Sequence, residues 1–292
     1  MMVLAFILQA LRIAVPYLLA AAGGVMSERV GVIALGLEGL MLSGAFGAAL
    51  GSYYGQTPWA GLIGALVAGA VVTSLLAIAT LRFKANQVVV GVAINLIVVA
   101  ATRFFLRLVF DSASNSPRVP GFGGEGAGNA MLASFLNPVV WIGLAALPLL
   151  GWVLYRTPFG LRARAVGEKP EAAASLGVNV MGLRLKGLYI AGALASLGGA
   201  YLSLDQHQFT DSMTAGRGFI ALAAVIFGRW QPTRVAVACL LFAGAETLQI
   251  QLQGAQLVPS QFVEMIPYVL TIVALAGVVG RSVAPAALGK TE

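Results

Sequence analysis

The stretch RAVGEKPEAAASLGVNV, residues 164–180, differs from the sequence on either side of it. Its neighbours are apolar and suited to lipid. This segment carries Arg164, Glu168 and Lys169, then Pro170, Glu171, a run of alanines and a glycine. Pro170 suits a first helical turn, where its missing N–H costs nothing. Glu171 falls in that turn and complements the positive end of a helix. The alanines favour helix, and Gly177 can take the left-handed conformation that ends one. The pattern predicts a helix of about two turns over residues 168–177, roughly 10 Å long. A helix that short is marginal by itself in water, so it needs flanking structure or a partner.

The surrounding composition explains why such a segment stands out. Of 292 residues, 59% are hydrophobic and only 10% are charged, whereas a soluble domain carries roughly 25% charged residues. Apolar runs of about 18–24 residues recur along the chain, as in a multi-spanning helical protein. A transmembrane β-barrel would instead show short alternating segments. The sequence therefore predicts an all-α, polytopic transmembrane bundle of about nine spans, in a range of about eight to ten. They are placed at 3–24, 31–53, 59–81, 87–110, 138–155, 183–204, 218–228, 233–253 and 263–280. The 218–228 run is weakest, since about 11 helical residues reach only about 16 Å against a bilayer core of about 30 Å. The first run is expected to stay as a span and not to be removed as a signal peptide, because no basic residue precedes it and Arg12 interrupts it.

Lysine and arginine set the orientation. With the N-terminus outside, thirteen of the 18 basic residues fall in inner loops. Arg118 and Arg217 fall outside, and Arg12, Arg103 and Arg107 fall within spans. That bias follows the positive-inside rule, and it accounts for the net charge of +7 without any nucleic-acid partner. Residues 111–137 and 205–217 become the outer segments, with Asp205, Asp211 and Arg217 as candidate rim charges for an external partner.

Catalytic chemistry has little to build on. His207 is the only histidine and Cys239 the only cysteine, which leaves no zinc spacing, His-based triad or disulfide framework. The tail has GKT at 289–291, but Ala284 stands where a phosphate-binding loop needs its first glycine. The chain itself is expected to bind no cofactor and no metal. Glu38 and Glu246 are the main acids within spans, without a base at helical spacing. Glu246, Gln249 and Gln253 share one helical stripe, and Asn95 adds an amide in the 87–110 span. These polar groups suit a solute with several hydroxyls or ring nitrogens. They equally suit hydrogen bonding between neighbouring helices.

At this point the chain resembles a known family. TPFGLRARAVGEKPEAAASLGVNV (157–180), SERVGVIALGLEGLMLSGAFGA (27–48), KANQVVVGVAINLI (84–97) and MTAGRGFIALAAVIFGRWQP (213–232) are similar, in combination and order, to permease subunits of ATP-binding-cassette importers. The class is the branched-chain amino acid, ribose and nucleoside type, and the nearest likeness is to the nucleoside and simple-sugar subgroup. The resemblance implies a single permease domain over 1–292 in a bacterial cytoplasmic (inner) membrane, with a cytoplasmic coupling segment at 156–182. It implies a second permease subunit, often a non-identical homologue. It further implies two cytoplasmic ATPase subunits that use the ATP, and an external solute-binding protein. Gly167, Glu168, Pro170, Glu171, Ala172, Ala173 and Gly177 would form the joint to an ATPase. Glu38, Asn95, Glu246, Gln249 and Gln253 are the candidate solute path. The expected solute is a nucleoside or a simple sugar. The competing readings are a branched-chain amino acid permease, an ion- or proton-coupled secondary carrier and an assembly scaffold without a transport role.

RVGVIAL (29–35) and RGFIAL (217–222) are also alike. They enter the membrane from opposite sides in this topology, as an inverted repeat would.

Overall fold

The computed structural model describes residues 2–122, 137–255 and 283–290. Ten α-helices occur among these residues: α1 (Met2–Arg29), α2 (Leu37–Gly55), α3 (Pro58–Ala77), α4 (Gln87–Phe110), α5 (Pro138–Arg156), α6 (Pro158–Glu168), α7 (Pro170–Ser175), α8 (Val180–Asp205), α9 (Arg217–Phe227) and α10 (Pro232–Ala255). A π-helical turn at Ile78–Arg82 extends α3. The described residues contain one isolated antiparallel bridge, Asn115 to Thr210, and no strand. The all-α expectation therefore holds for them.

Local sequence starts several of these helices in one way. Thr57, Asn137 and Thr157 each precede a proline. Each side chain accepts a hydrogen bond from a backbone amide in the first turn of α3, α5 or α6. Asn86 and Asn179 do the same for α4 and α8. Such caps satisfy amides that have no partner inside the helix, and the prolines pre-set the entering turn.

The expected span count is not reached among the described residues. Six helices are long and apolar enough to cross a membrane: Leu4–Arg29, Pro58–Arg82, Gln87–Phe110, Pro138–Arg156, Val180–Asp205 and Pro232–Gln253. The 31–53 run splits instead. Residues 30–36 are non-helical, and α2 begins at Leu37. The 218–228 run is the short helix α9, and 263–280 lies outside the described residues.

α2 sits at the centre and is buried along most of its length, packed on α3 and α8. Its sequence of glycines, alanines and serines makes this possible. A Cβ on Gly44 would lie 2.4 Å from Ser196 Cα, and one on Gly199 would lie 1.8 Å from the Met41 carbonyl oxygen. On the other side, Gly47 and Gly64 approach each other's carbonyls at 2.3–2.5 Å from the added Cβ. Without a hydrophobic drive between helices in lipid, such close backbone approach supplies the packing energy. α1 wraps this centre and also touches α5, α9 and α10.

Candidate functional site

Two sets of polar residues interrupt the apolar bundle. The first lies inside it, around the broken segment 30–36. Gln87 Oε1 accepts from Ile33 N at 2.8 Å. Asn95 Nδ2 donates to Leu35 O at 2.9 Å, and its Oδ1 accepts from Gly39 N at 2.8 Å. Two amide side chains on α4 thus satisfy backbone groups that the break leaves without helical partners. An unsatisfied group at this depth would cost several kcal/mol.

The next residue in this chain of contacts is Glu38, in the first turn of α2 and 9% exposed. Its Oε1 accepts from Thr214 Oγ1 at 2.6 Å and Gly216 N at 3.0 Å, and its Oε2 accepts from Gly218 N at 2.7 Å. The carboxylate therefore caps the N-terminus of α9 from another helix. A charge at a helix N-terminus is favourable, and all three partners are donors. A Cβ on Gly218 would meet the Glu38 backbone at 2.5 Å, which is why the contact needs glycine there.

Glu246, at mid-length in α10, has the base that helical spacing did not reveal. Arg217 Nη2 lies 2.6 Å from its Oε1, and the Tyr17 hydroxyl donates to its Oε2 at 2.6 Å. Arg217, expected as a rim charge on an outer loop, is instead the first residue of α9 and partly buried. Gln249 is half-buried and Gln253 exposed, on the same helix. Of the candidate path residues, Glu38 and Asn95 are thus engaged by backbone, Glu246 by two side chains, and Gln249 and Gln253 lie toward the surface of this chain.

The other two expected rim charges are also paired: Asp205 with Arg12 at 2.6 Å and Asp211 with Arg103 at 2.8 Å. Arg12 and Arg103, read as lying within spans, fall inside two of the six membrane-length helices, Leu4–Arg29 and Gln87–Phe110. The two outer segments are joined as well. Ser116 N donates to Phe209 O, Val119 N to His207 O and Asp211 N to Ser114 O, each at 2.8 Å. The described part of 111–137 and the 205–217 loop, both expected on the outside, therefore form one joined cap in which Phe209 is buried. RVGVIAL and RGFIAL do not share a conformation: residues 30–36 are non-helical, whereas 217–222 open α9.

The second polar set is on the opposite side. The helix expected at 168–177 is the shorter α7, and a further helix, α6, precedes it, the two separated at Lys169. Lys169 has φ −141°, as a residue before proline favours extended backbone. The start of α6 does not stand out in the sequence because PFGLRARAVGE is only weakly hydrophobic, with Arg162, Arg164 and Glu168 among its residues, although the Thr157–Pro158 cap signals it. Gly177 has φ +78° with no atom within 4 Å of an added Cβ, so it ends α7 in the expected left-handed conformation. Ala173 is buried with Val166 and Leu183. Glu168, Glu171 and Ala172 are exposed, Pro170 is half-buried, and Leu176 is 84% exposed. Gly167 is buried against α1, where an added Cβ would lie 2.2 Å from Arg29 O. A groove of about 520 Å³ beside the α7 end is lined by Phe159, Arg162, Leu176, Gly177 and Lys186, among others. Leu176 is thus exposed at the end of a short polar helix, beside a groove that carries Arg162 and Lys186.

No group of three or more histidine, cysteine, aspartate or glutamate residues that could hold a metal exists among the described residues. The geometry is that of a multi-span helical membrane protein with a polar interior and a helical platform at one face. Residues 6–275 match the family described as branched-chain amino acid transport system / permease component, and the chain belongs to that family. It is 40% identical to the guanosine ABC transporter permease protein NupQ of Bacillus subtilis, over 94% of this chain and 92% of that one. It is 37% identical to the nucleoside ABC transporter permease protein NupC of Lactococcus lactis, again over 94% and 92%. The fold is also similar to a putative metal-chelate type ABC transporter solved in an inward-facing conformation. That match has a TM-score of 0.57 and 17% identity, covering 94% of this chain and 85% of that one.

Proposed function

We infer that this chain is the membrane permease subunit of an ATP-binding-cassette importer that carries nucleosides across a bacterial cytoplasmic membrane. The observation that carries this reading is similarity along nearly the whole chain to two permease proteins named for guanosine and nucleoside transport. The geometry agrees in kind. The interior polar groups are amides, hydroxyls, the Arg217–Glu246 ion pair and the hydrogen-bonded carboxylates of Glu28 and Glu38, a set that can exchange hydrogen bonds with a polar solute. The α6–α7 platform supplies the surface on which a cytoplasmic ATPase would dock, with Glu168, Pro170, Glu171, Ala172 and Gly177 at its outer edge and Gly167 and Ala173 seating it on α1 and α8. A second permease subunit, two ATPase subunits and an external binding protein complete the complex. This chain binds no cofactor, and ATP is consumed by its partners.

The test is uptake in proteoliposomes containing this chain with its second permease, ATPases and binding protein. Radiolabelled guanosine should enter only with ATP, and other nucleosides should compete. Uptake without the ATPase subunits would instead mark a secondary carrier. Transport of branched-chain amino acids without nucleosides would overturn the substrate assignment.

A further inference from the structure

The segment 283–290, VAPAALGK, lies against both the α6–α7 platform and the broken segment after α1. Ala287 N donates to Gly167 O at 2.9 Å, and Gly289 N donates to Gly31 O at 3.2 Å. Ala286 N donates to Glu168 Oε2 at 3.3 Å, and Glu168 Oε1 lies 4.0 Å from Arg29 Nη1. Ala287 is 1% exposed. Gly31 has φ +89°, and an added Cβ would lie 3.2 Å from Ala287 O. Gly31 therefore supplies both the backbone conformation and the room that seat this segment. Leu288 packs on the main apolar core. The same eight residues thus bond to carbonyls at the end of α6 and in the 30–36 break.

The break leads inward through named contacts. Ile33 is held by Gln87, Leu35 and Gly39 by Asn95, and the following residue, Glu38, caps α9. Spatial continuity alone does not establish energetic coupling. The platform also meets this region directly, through Gly167 against the Arg29 carbonyl and Glu168 beside Arg29; the segment adds hydrogen bonds to both sides at once, by backbone groups that cannot swing away as surface side chains can.

We propose that residues 283–290 are a strut that transmits movement of the α6–α7 platform to the 30–36 break and so to the buried contacts at the start of α2 and α9. The proposal rests on the reading of α6–α7 as the ATPase-docking surface. When the platform is displaced, the strut carries residues 29–36 with it, and Glu38 and α9 follow. Without it, the platform still receives an ATPase but its motion reaches the interior less efficiently.

The experiment uses the whole reconstituted complex and measures three quantities: ATPase pull-down, ATP hydrolysis, and solute taken up per ATP. Three forms are compared with the parent: deletion of 283–292, Ala287→Leu and Val283→Ser. Ala287→Leu overfills a buried site and dislodges the segment. Val283, 84% exposed, serves as the control. Deletion and Ala287→Leu should leave pull-down and hydrolysis intact and lower solute per ATP at least about fivefold, the lower end of typical coupling effects. Val283→Ser should match the parent. An unchanged ratio in both test variants overturns the strut. Loss of pull-down overturns it too, because the segment would then only shape the docking surface. So does loss of inserted protein in both, which would make the segment a folding element. Glu171→Lys, run in parallel, separates the two readings: if it leaves docking untouched, the docking assignment of α6–α7 fails, whatever the strut does.

Discussion

Arg217 and Glu246 stand 29 positions apart in the chain and meet at 2.6 Å, joining the start of the short helix α9 to the middle of α10. Both are partly buried, and Tyr17 from α1 completes the contact. Removing one partner of a buried pair costs about 3–5 kcal/mol, because the other charge is left uncompensated. Glu246→Leu should therefore lower the thermal stability of the purified protein sharply. The double substitution Glu246→Leu with Arg217→Met should recover much of that loss. A double-mutant cycle on the melting curves checks this; simple additivity would show that the two side chains do not interact.

Glutamine substitutions at the two buried acids should behave differently, for a reason visible in their partners. Glu246→Gln can turn its oxygen to Arg217 and its amide to the Tyr17 hydroxyl, which is able to accept. Glu38→Gln has no such solution. Backbone N–H groups of Gly216 and Gly218 point at its two different oxygens, so an amide nitrogen must face one of them donor to donor. Glu38→Gln should cost about 1–3 kcal/mol for the group left unsatisfied and speed amide hydrogen exchange at the start of α9. Glu246→Gln keeps both hydrogen bonds but leaves the Arg217 charge without its counter-ion, so it should lower stability less than Glu246→Leu does, and a fall in uptake at unchanged assembly would place Glu246 on the solute path. Unchanged amide exchange at the start of α9 in Glu38→Gln would contradict the geometry.

The helical class and the α7 stop at Gly177 were legible because they depend on composition and local chemistry. The interruption at 30–36 was not. VGVIALG is apolar and continues the hydrophobicity of α2, and nothing local announces that Gln87 and Asn95 will satisfy its backbone from α4. Glu38 was legible as a costly buried acid but not as a cap, since its partners lie 176 or more positions away. The partners of the expected rim charges were hidden in the same way: Asp205, Asp211 and Arg217 look unpaired in a polar loop, and only the fold brings Arg12, Arg103 and Glu246 to them.

With the cap on the outer face, as the positive-inside bias predicts, its charged edge should meet a soluble partner. Asp211 sits in the 205–217 loop beside the exposed Arg103, and reversing it creates two neighbouring positive charges. Asp211→Lys should change the rate at which the external binding protein associates, and the salt dependence of that rate, more than the dissociation rate. Stopped-flow or surface-binding kinetics at low and high salt provide the measurement. Association that is identical at both salt concentrations would remove this loop from the docking surface.

The end of α7 offers a test in which sterics and backbone conformation separate cleanly. Gly177 has φ +78° and open space where a Cβ would go, so any penalty there is conformational and not a clash. Asparagine visits the left-handed region far more readily than a β-branched residue. Gly177→Asn should therefore keep ATPase docking and uptake near the parent level. Gly177→Val should destabilise the α7 end by about 1–3 kcal/mol and swing Leu176 and Val178 out of register with the groove between them and Lys186. Because Ala173 still anchors α7 to Val166 and Leu183, the protein should remain inserted. The loss should appear first as weaker ATPase pull-down and then as reduced uptake. Normal docking in Gly177→Val, or equal loss in both variants, would show that the left-handed turn does not shape the docking surface.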